Sequence, residues 1–354
     1  MNRPCALVMA GGTGGHIFPG LAVAQALRDK GWRIHWLGTP NSMETRLVPM
    51  RGFTMELVDF SGVRGKGAMA WVRLPWRLLR ACVQSFQVMQ RVRPDVVLGF
   101  GGYISLPAGL VTVLRRIPLV LHEQNAVAGM ANQILSKVAA RIFTAFPHVM
   151  KKAQWVGNPL RGEFLHQAEP SARFSGRTGP MQVLVVGGSL GARALNAVVP
   201  LALAHIPVAD RPSIWHQSGD KEIDTLRANY ADANVTATLT PFIDNTAQAF
   251  ADADIVICRA GASTVTEIAA VGAAALFVPF PGAVDDHQTH NAQFLTQQGA
   301  GWVIAQSELT PEYLATWLQS LSRDALQSCA EKAKALACFS ATDAIAQACE
   351  ELAA

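Results

Sequence analysis

The stretch Leu7–Leu27, LVMAGGTGGHIFPGLAVAQAL, decides how the rest of the chain is read. A short apolar run meets four glycines within five residues (Gly11, Gly12, Gly14, Gly15), His16 closes the cluster, and a helical pattern follows. A glycine turn between strand and helix lets main-chain N–H groups approach an anion, and the helix start adds partial positive charge. Tight turns alone also demand glycine, so one such loop leaves both readings open. The pattern recurs. Apolar runs at 5–10, 33–38, 54–60, 95–100, 118–122 and 141–144 alternate with helical patterns, which implies a parallel sheet with helices on both faces. Around 155–180 the alternation breaks at WVGNPLRGEF and EPSARFSGRTGP, which read as a linker. It resumes with runs at 182–187, 213–217, 234–239, 254–258, 274–279 and 302–305. The expected class is α/β: two doubly wound, Rossmann-like halves facing a cleft, over 1–160 and 161–338. A helical tail over 339–354 has the first half as one place to pack.

Composition bounds the function. Half of the 354 residues are hydrophobic and 16% are charged, enough for two cores. The net charge of +4 is mild, so its distribution matters more than its sum. The opening MNRPCALVMAGG does not read as a secretory signal. The longest apolar stretch, Ile268–Phe280, contains Gly272 and Pro279 and falls short of the roughly 20 residues of a membrane span. The six cysteines are scattered without a Cys-x-x-Cys pair and read as free thiols.

Ligands of doubly wound sheets bind beyond the carboxyl ends of the strands, and there the glycine clusters fall: 11–15, 99–102, 187–191 and Gly261. The dinucleotide fingerprint fails, because the third glycine counted from Gly12 would be Ile17 and the second strand ends in Leu37-Gly38-Thr39 without an acid. A phosphate-loop motif ending in Gly-Lys-Ser/Thr is absent too, which disfavours NAD and ATP by those routes. The segment CRAGASTVTEIAAVGAAALFVPFP (258–281) offers more. Gly261, Ala262, Ser263 and Thr264 open a helix, and Glu267 follows within a turn. An anion at the helix start and a carboxylate for two ribose hydroxyls suit a nucleoside diphosphate. A Ser263 cap and a Glu267–dipole interaction would explain the same residues.

No metal or cofactor is expected. Asp252-Ala253-Asp254 matches the D-x-D string of metal-dependent transferases but precedes a buried strand, Asp285-Asp286 reads as a solvated loop, and no His/Cys cluster has zinc spacing. Residues 61–94 carry seven bases (Arg64, Lys66, Arg73, Arg77, Arg80, Arg91, Arg93) and no acid. Trp76, Leu79, Val83 and Phe86 read as a core-facing stripe. That leaves Trp71, Leu74 and Leu78, among Arg73, Arg77 and Arg80, as a patch for an anionic membrane surface. An ordinary amphipathic helix with a solvated basic face fits as well; nucleic acid fits less, because the aromatics belong to an apolar stripe.

GGTGGH (11–16), GFGGY (99–103), HEQNAVAG (122–129), GNP (157–159), GGSLGAR (187–193) and RAGASTVTE (259–267) occur in that order. Across essentially the whole chain this set resembles the MurG family, the UDP-N-acetylglucosamine–N-acetylmuramyl-(pentapeptide) pyrophosphoryl-undecaprenol N-acetylglucosamine transferases of bacterial cell-wall synthesis. The resemblance implies a GT-B glycosyltransferase fold. It implies inverting transfer of GlcNAc from UDP-GlcNAc to the 4-hydroxyl of lipid I, giving lipid II. It places donor contacts at Thr13, Gly14, Gly15, Asn125, Arg161, Ser189, Asn196 and the Ile243 backbone, at Ala262, Ser263, Thr264, Val265, Thr266 and Glu267, and at Gln288. Where the family often carries two adjacent glutamines, this chain reads His287-Gln288, after a PGAVDDH stretch that looks long. His16 and Glu123 both stand as the general base, and Tyr103 is expected on the acceptor side. The implied partners are UDP-GlcNAc, lipid I, an anionic membrane surface and other cell-wall synthesis proteins, at the cytoplasmic face of the inner membrane. Alternatives are a GT-B transferase moving hexose from UDP to a lipid such as diacylglycerol, a UDP-GlcNAc 2-epimerase, and a non-catalytic membrane scaffold.

Overall fold

Strand β1 (Cys5–Ala10) is buried at every position, as a central strand covered on both faces must be. In the computed structural model, which describes residues 3–62, 69, 72–188 and 191–354, the chain forms two units, Met1–Leu160 with Cys338–Ala354, and Arg161–Ala337. In the first, β1 is joined by β2 (Arg33–Gly38), β3 (Thr54–Leu57), β4 (Val96–Gly101), β5 (Leu119–Glu123), β6 (Arg141–Thr144) and β7 (Gln154–Trp155). All pair in parallel, in the order β3-β2-β1-β4-β5-β6-β7. The period-two alternation of a strand sorts β1 between two cores. Ala6, Val8 and Ala10 join Ile17, Leu21, Ala24 and Leu27 of α1 (Gly14–Asp29). Cys5, Leu7 and Met9 join residues of three helices beyond α2 (Glu44–Leu47): α3 (Leu74–Val92), α4 (Ser105–Arg115) and α5 (Met130–Leu135).

In the second unit β8 (Gln182–Val186), β9 (Ser213–Gln217), β10 (Thr238–Thr240), β11 (Ile255–Cys258), β12 (Ala275–Phe277) and β13 (Trp302–Val303) pair in parallel in the order β10-β9-β8-β11-β12-β13. The helices of this unit are α6 (Pro170–Phe174), α7 (Arg193–Ala204), α8 (Ile223–Asp232), α9 (Thr246–Asp252), α10 (Ala262–Val271), α11 (His287–Thr296), α12 (Pro311–Ser320) and α13 (Arg323–Ala335). Helix α14 (Ala341–Ala353) returns to the first unit, where Ile345, Ala346 and Cys349 share the α1-side core.

The Gly/Pro-rich stretch after Trp155 is not a free linker. Phe164 and Phe174 are buried, Phe164 packs on Phe250 at 6.3 Å, and the Arg173 guanidinium donates to the carbonyls of Ala251 (2.8 Å) and Val271 (3.0 Å). Aromatic anchors and one arginine tie these residues to the second sheet's helices. Strand order reverses between β1 and β4 in one unit and between β8 and β11 in the other. At such switch points adjacent loops diverge beyond the strand ends and leave a crevice.

Candidate functional site

At the first switch point the glycines serve two purposes. Gly102 has φ +87°, and a Cβ there would stand 2.5 Å from the Gly11 carbonyl oxygen; one at Gly101 (φ +99°) would stand 3.1 Å from the His16 ring. Those two glycines let the β4 loop lie directly on the β1 loop. Gly12, with φ +89°, has no atom within 4 Å of where its Cβ would be, so it borders open space. Glu44, missed in the sequence, anchors this loop from below. It is fully buried and accepts from the N–H groups of Gly12 and Thr39, both at 3.1 Å, and from the Thr39 hydroxyl at 3.0 Å. Burial alone would raise the Glu44 pKa, but hydrogen bonds from Thr39, Ser42 and Gly12 outweigh it and hold the carboxyl below its ordinary value. Thr13 stands at the N-cap of α1 in extended conformation, its side chain making no cap. The N–H groups of Gly14 and Gly15 meet no acceptor among the described residues, as the first turn of a helix requires.

The HEQN segment meets this loop. His16 Nδ1 lies 2.8 Å from Gln124 Oε1, Gln124 Nε2 lies 3.0 Å from His122 Nδ1, and His122 Nε2 lies 2.9 Å from the Gly157 carbonyl. His122 is buried, which lowers its pKa to about 4. Glu123 is also buried and fully engaged. Its Oε1 accepts from the N–H of Asn125 (3.0 Å), and its Oε2 accepts from the N–H of Gly129 (3.0 Å) and from Asn132 Nδ2 (2.8 Å). With these bonds Glu123 shapes the loop that presents Asn125. Tyr103 is 53% exposed and its ring lies against Gly62.

In the second unit α10 starts at Ala262 with no side-chain cap. Ala262, Val265 and Thr266 turn inward, and the Thr266 hydroxyl donates to the carbonyls of Ala262 and Ser263, each at 3.0 Å. Ser263, Thr264 and Glu267 keep partial exposure on the other side. The Ser263 hydroxyl is buried at the helix start without a hydrogen-bond partner among the described residues. Arg161 lies 3.9 Å from the Glu267 carboxylate and 2.7 Å from that of Glu163. Burial raises the Glu267 pKa to about 7, opposed by Arg161 and reinforced by Glu163. Asn291, also unanticipated, is buried and donates to the Ala260 carbonyl at 3.1 Å, bracing the loop ahead of α10.

The other expected donor contacts divide. Ser189 lies outside the described residues. Ile243 is buried, and its N–H meets no acceptor among the described residues. Gln288 accepts from the Phe280 N–H at 2.9 Å, beside consecutive left-handed residues Asp285 (φ 52°) and Asp286 (φ 50°). Asn196 is 1% exposed, its Oδ1 accepts from His216 Nε2 at 3.0 Å, and Tyr230 completes the set at His216 Nδ1, also 3.0 Å. Its side chain braces α7 against β9. In the D-x-D string Asp254 is fully buried, paired with Arg177 (2.7 Å) and Arg323 (3.3 Å). Among the described residues no three His, Cys, Asp or Glu side chains converge as a metal site.

Helix α3 packs Phe86 on the core as expected but otherwise reverses the expected faces. Leu74 and Leu78 pack on the core beside Ala81, Val88, Met89 and Val92, whereas Trp76, Leu79 and Val83 are exposed by 73%, 55% and 50%. With Val72, also exposed, these last form a stripe at i, i+4, i+7, i+11 spacing. Arg73 and Arg80 flank it in solvent, while Arg77 is drawn back to the Ser61 hydroxyl at 2.7 Å. Trp71, Arg64 and Lys66 lie outside the described residues. No helix among the described residues is long and apolar enough to cross a membrane.

Comparison with known proteins gives a consistent answer. Residues 6–144 match the glycosyltransferase family 28 N-terminal domain, and residues 182–348 match the family 28 C-terminal domain. The chain is 64% identical to a protein of Polaromonas naphthalenivorans, covering 99% of each, and 64% identical to one of Polaromonas sp. (strain JS666), covering 98% of this chain and 91% of the other. Both are described as UDP-N-acetylglucosamine–N-acetylmuramyl-(pentapeptide) pyrophosphoryl-undecaprenol N-acetylglucosamine transferase. Among solved structures, MurG of Acinetobacter baumannii superposes with a TM-score of 0.86 at 40% identity, covering 99% of this chain and 100% of that one. The calicheamicin glycosyltransferase CalG4, 15% identical with a TM-score of 0.68, shares the fold over 99% of this chain and 98% of its own.

Proposed function

Because the chain belongs to glycosyltransferase family 28 and, within it, to the MurG transferases, we propose that the α10 amino terminus holds the UDP of its donor and that His16 deprotonates its acceptor. The chain is a GT-B glycosyltransferase that moves GlcNAc from UDP-GlcNAc to lipid I, giving lipid II for peptidoglycan. The observation that carries the donor assignment is the Ser263 hydroxyl, buried and partnerless at a helix start, one turn before Glu267. A diphosphate oxygen would satisfy that hydroxyl together with the free N–H groups of the first turn. The ionised Glu267 carboxylate accepts both ribose hydroxyls, and Arg161 holds the carboxylate in place. The Ile243 N–H suits a carbonyl on the uracil edge, and Gln288 suits the sugar hydroxyls.

Inverting transfer requires a base for the acceptor 4-hydroxyl while the bond from the sugar C1 to the diphosphate breaks. His16 fits this role: its Nε2 has no partner among the described residues, whereas both Glu123 oxygens are occupied. The charge growing on the departing UDP falls on the α10 dipole and the Ser263 and Thr264 hydroxyls. Tyr103 borders the acceptor, and Asn125 contacts the donor. The stripe Val72, Trp76, Leu79, Val83, with Arg73 and Arg80, docks the enzyme peripherally on an anionic bilayer, at the cytoplasmic face of the inner membrane where a prenyl-linked acceptor is presented.

The test is UDP release by the purified chain in detergent with UDP-GlcNAc and a lipid I analogue, alongside UDP-glucose, diacylglycerol and acceptor-free controls. Release is expected only with UDP-GlcNAc and the lipid I analogue together. Release with diacylglycerol would instead assign the chain to a different lipid.

A further inference from the structure

We propose that Gln124 and His122 are positioning residues that fix His16 as its Nδ1–H tautomer, leaving the Nε2 lone pair to take the acceptor's proton. The inference rests on the assignment of His16 as the base, and it deepens that assignment by naming what sets its proton.

The direction of the hydrogen-bond chain follows from main-chain carbonyls, which only accept. The Gly157 carbonyl lies 2.9 Å from His122 Nε2, so that nitrogen carries the hydrogen. A neutral imidazole then presents a lone pair at Nδ1. Burial, the largest effect on His122, keeps its ring neutral, with a pKa lowered to about 4. The Gln124 amide sits between this lone pair (3.0 Å) and the His122 carbonyl (3.1 Å), so both neighbours demand its NH2 group on that side. Its Oε1 is therefore the atom turned to His16, and an amide oxygen accepts. His16 must donate from Nδ1 across the 2.8 Å contact. With Nδ1 committed as donor, the neutral ring has Nε2 as its only acceptor, and that atom has no partner among the described residues. Gly101 supports the ring's placement, since any Cβ there would meet the imidazole at 3.1 Å. Three segments far apart in sequence thus deliver one tautomer, with no carboxylate on the ring among the described residues.

Long-range 15N–1H spectra of the full chain read the tautomer directly. In the wild-type protein His16 is expected as Nδ1–H. In Gln124→Met, which keeps the side chain's length but removes both polar ends, the signal should move toward the Nε2–H form that a free histidine side chain prefers. Over the same substitution kcat should fall about ten- to a hundredfold, part of what a positioned base contributes, while the KM for UDP-GlcNAc stays within about twofold. A wild-type His16 found as Nε2–H overturns the relay without any variant, as does a Gln124→Met spectrum that leaves the tautomer unmoved. The base assignment is judged separately by His16→Ala. Normal turnover in that variant would remove the base and leave the tautomer measurement standing.

Discussion

Replacing Gly102 by alanine should damage the first unit far more than the same change at Gly12, although both glycines sit at positive φ in the same loop pair. Each substitution forces an L residue into a left-handed conformation, at about 1–2 kcal/mol. At Gly102 the new methyl also meets the Gly11 carbonyl oxygen at 2.5 Å, a main-chain atom that cannot swing away. Overpacking of that kind adds about 1–3 kcal/mol. At Gly12 the methyl meets nothing within 4 Å. The expected gap is therefore about 1–3 kcal/mol, or about 5- to 150-fold in the opening equilibrium of β1 and β4. Native-state hydrogen exchange on peptides covering 5–10 and 96–101 reads that equilibrium locally, without treating both units as one transition. Gly12→Ala should lose only the protection that the left-handed conformation costs, and should lower turnover, because its methyl enters the space left for ligand. Equal loss of protection in the two variants would refute the division of these glycines into packing and ligand-facing positions.

Glu267, carried from the ordinary 4.5 to about 7, makes the folded second unit bind a proton that the unfolded chain releases. Its contribution to stability should therefore be greatest below pH 4.5 and be lost as pH rises through 7, about 3 kcal/mol in total, a component that Glu267→Gln should remove from the pH dependence of urea titrations. UDP should bind more tightly as pH rises through 7 and release a proton, visible as buffer-dependent heats in calorimetry. Trp76→Glu should weaken binding to vesicles of anionic lipid by about thirtyfold or more while sparing turnover on a soluble acceptor analogue; Leu78→Glu should instead lower stability, seen as a reduced melting temperature. Asn196→Ala leaves His216 Nε2–H unpaired in the core and should cost about 1–3 kcal/mol of stability, with UDP affinity within about twofold.

The strands were legible because their side chains obey a period that burial enforces. Cys5–Ala10 reads as a fully covered strand in either sequence or structure, and the Gly261–Glu267 helix start was visible from small residues placed where a helix must begin. The faces of α3 were not. Its core side is lined in part by Ala81 and Ser85, both fully buried. Hydrophobicity does not mark such small residues, so the strongest apolar stripe, Trp76-Leu79-Val83, was assigned inward and lies outside. Contacts that join distant segments were equally hidden. Glu44 reaches Gly12 across 32 positions, and Gln124 reaches His16 across 108. A polar side chain's partner is not written in its own neighbourhood. Asn196 shows the converse: it sits near a glycine loop in sequence, and its side chain is committed to a buried histidine.

The return of α14 to the first unit bears on how the chain is made. Residues synthesised after the second unit supply Ile345, Ala346 and Cys349 to the core beside Ile17 and Leu21, whereas the second unit, Arg161–Ala337, is one uninterrupted segment. At about 5–20 residues per second, the ribosome needs roughly 9–35 s to pass through that segment. Throughout this interval the seven-stranded sheet waits with part of its α1-side core uncovered, and when Ala337 is added the second unit is complete while the first still lacks α14. A nascent chain in that state presents the kind of apolar surface that chaperones hold. Ribosomes stalled before codon 345 would strand the earlier-made half, not the later one, in a form prone to aggregate.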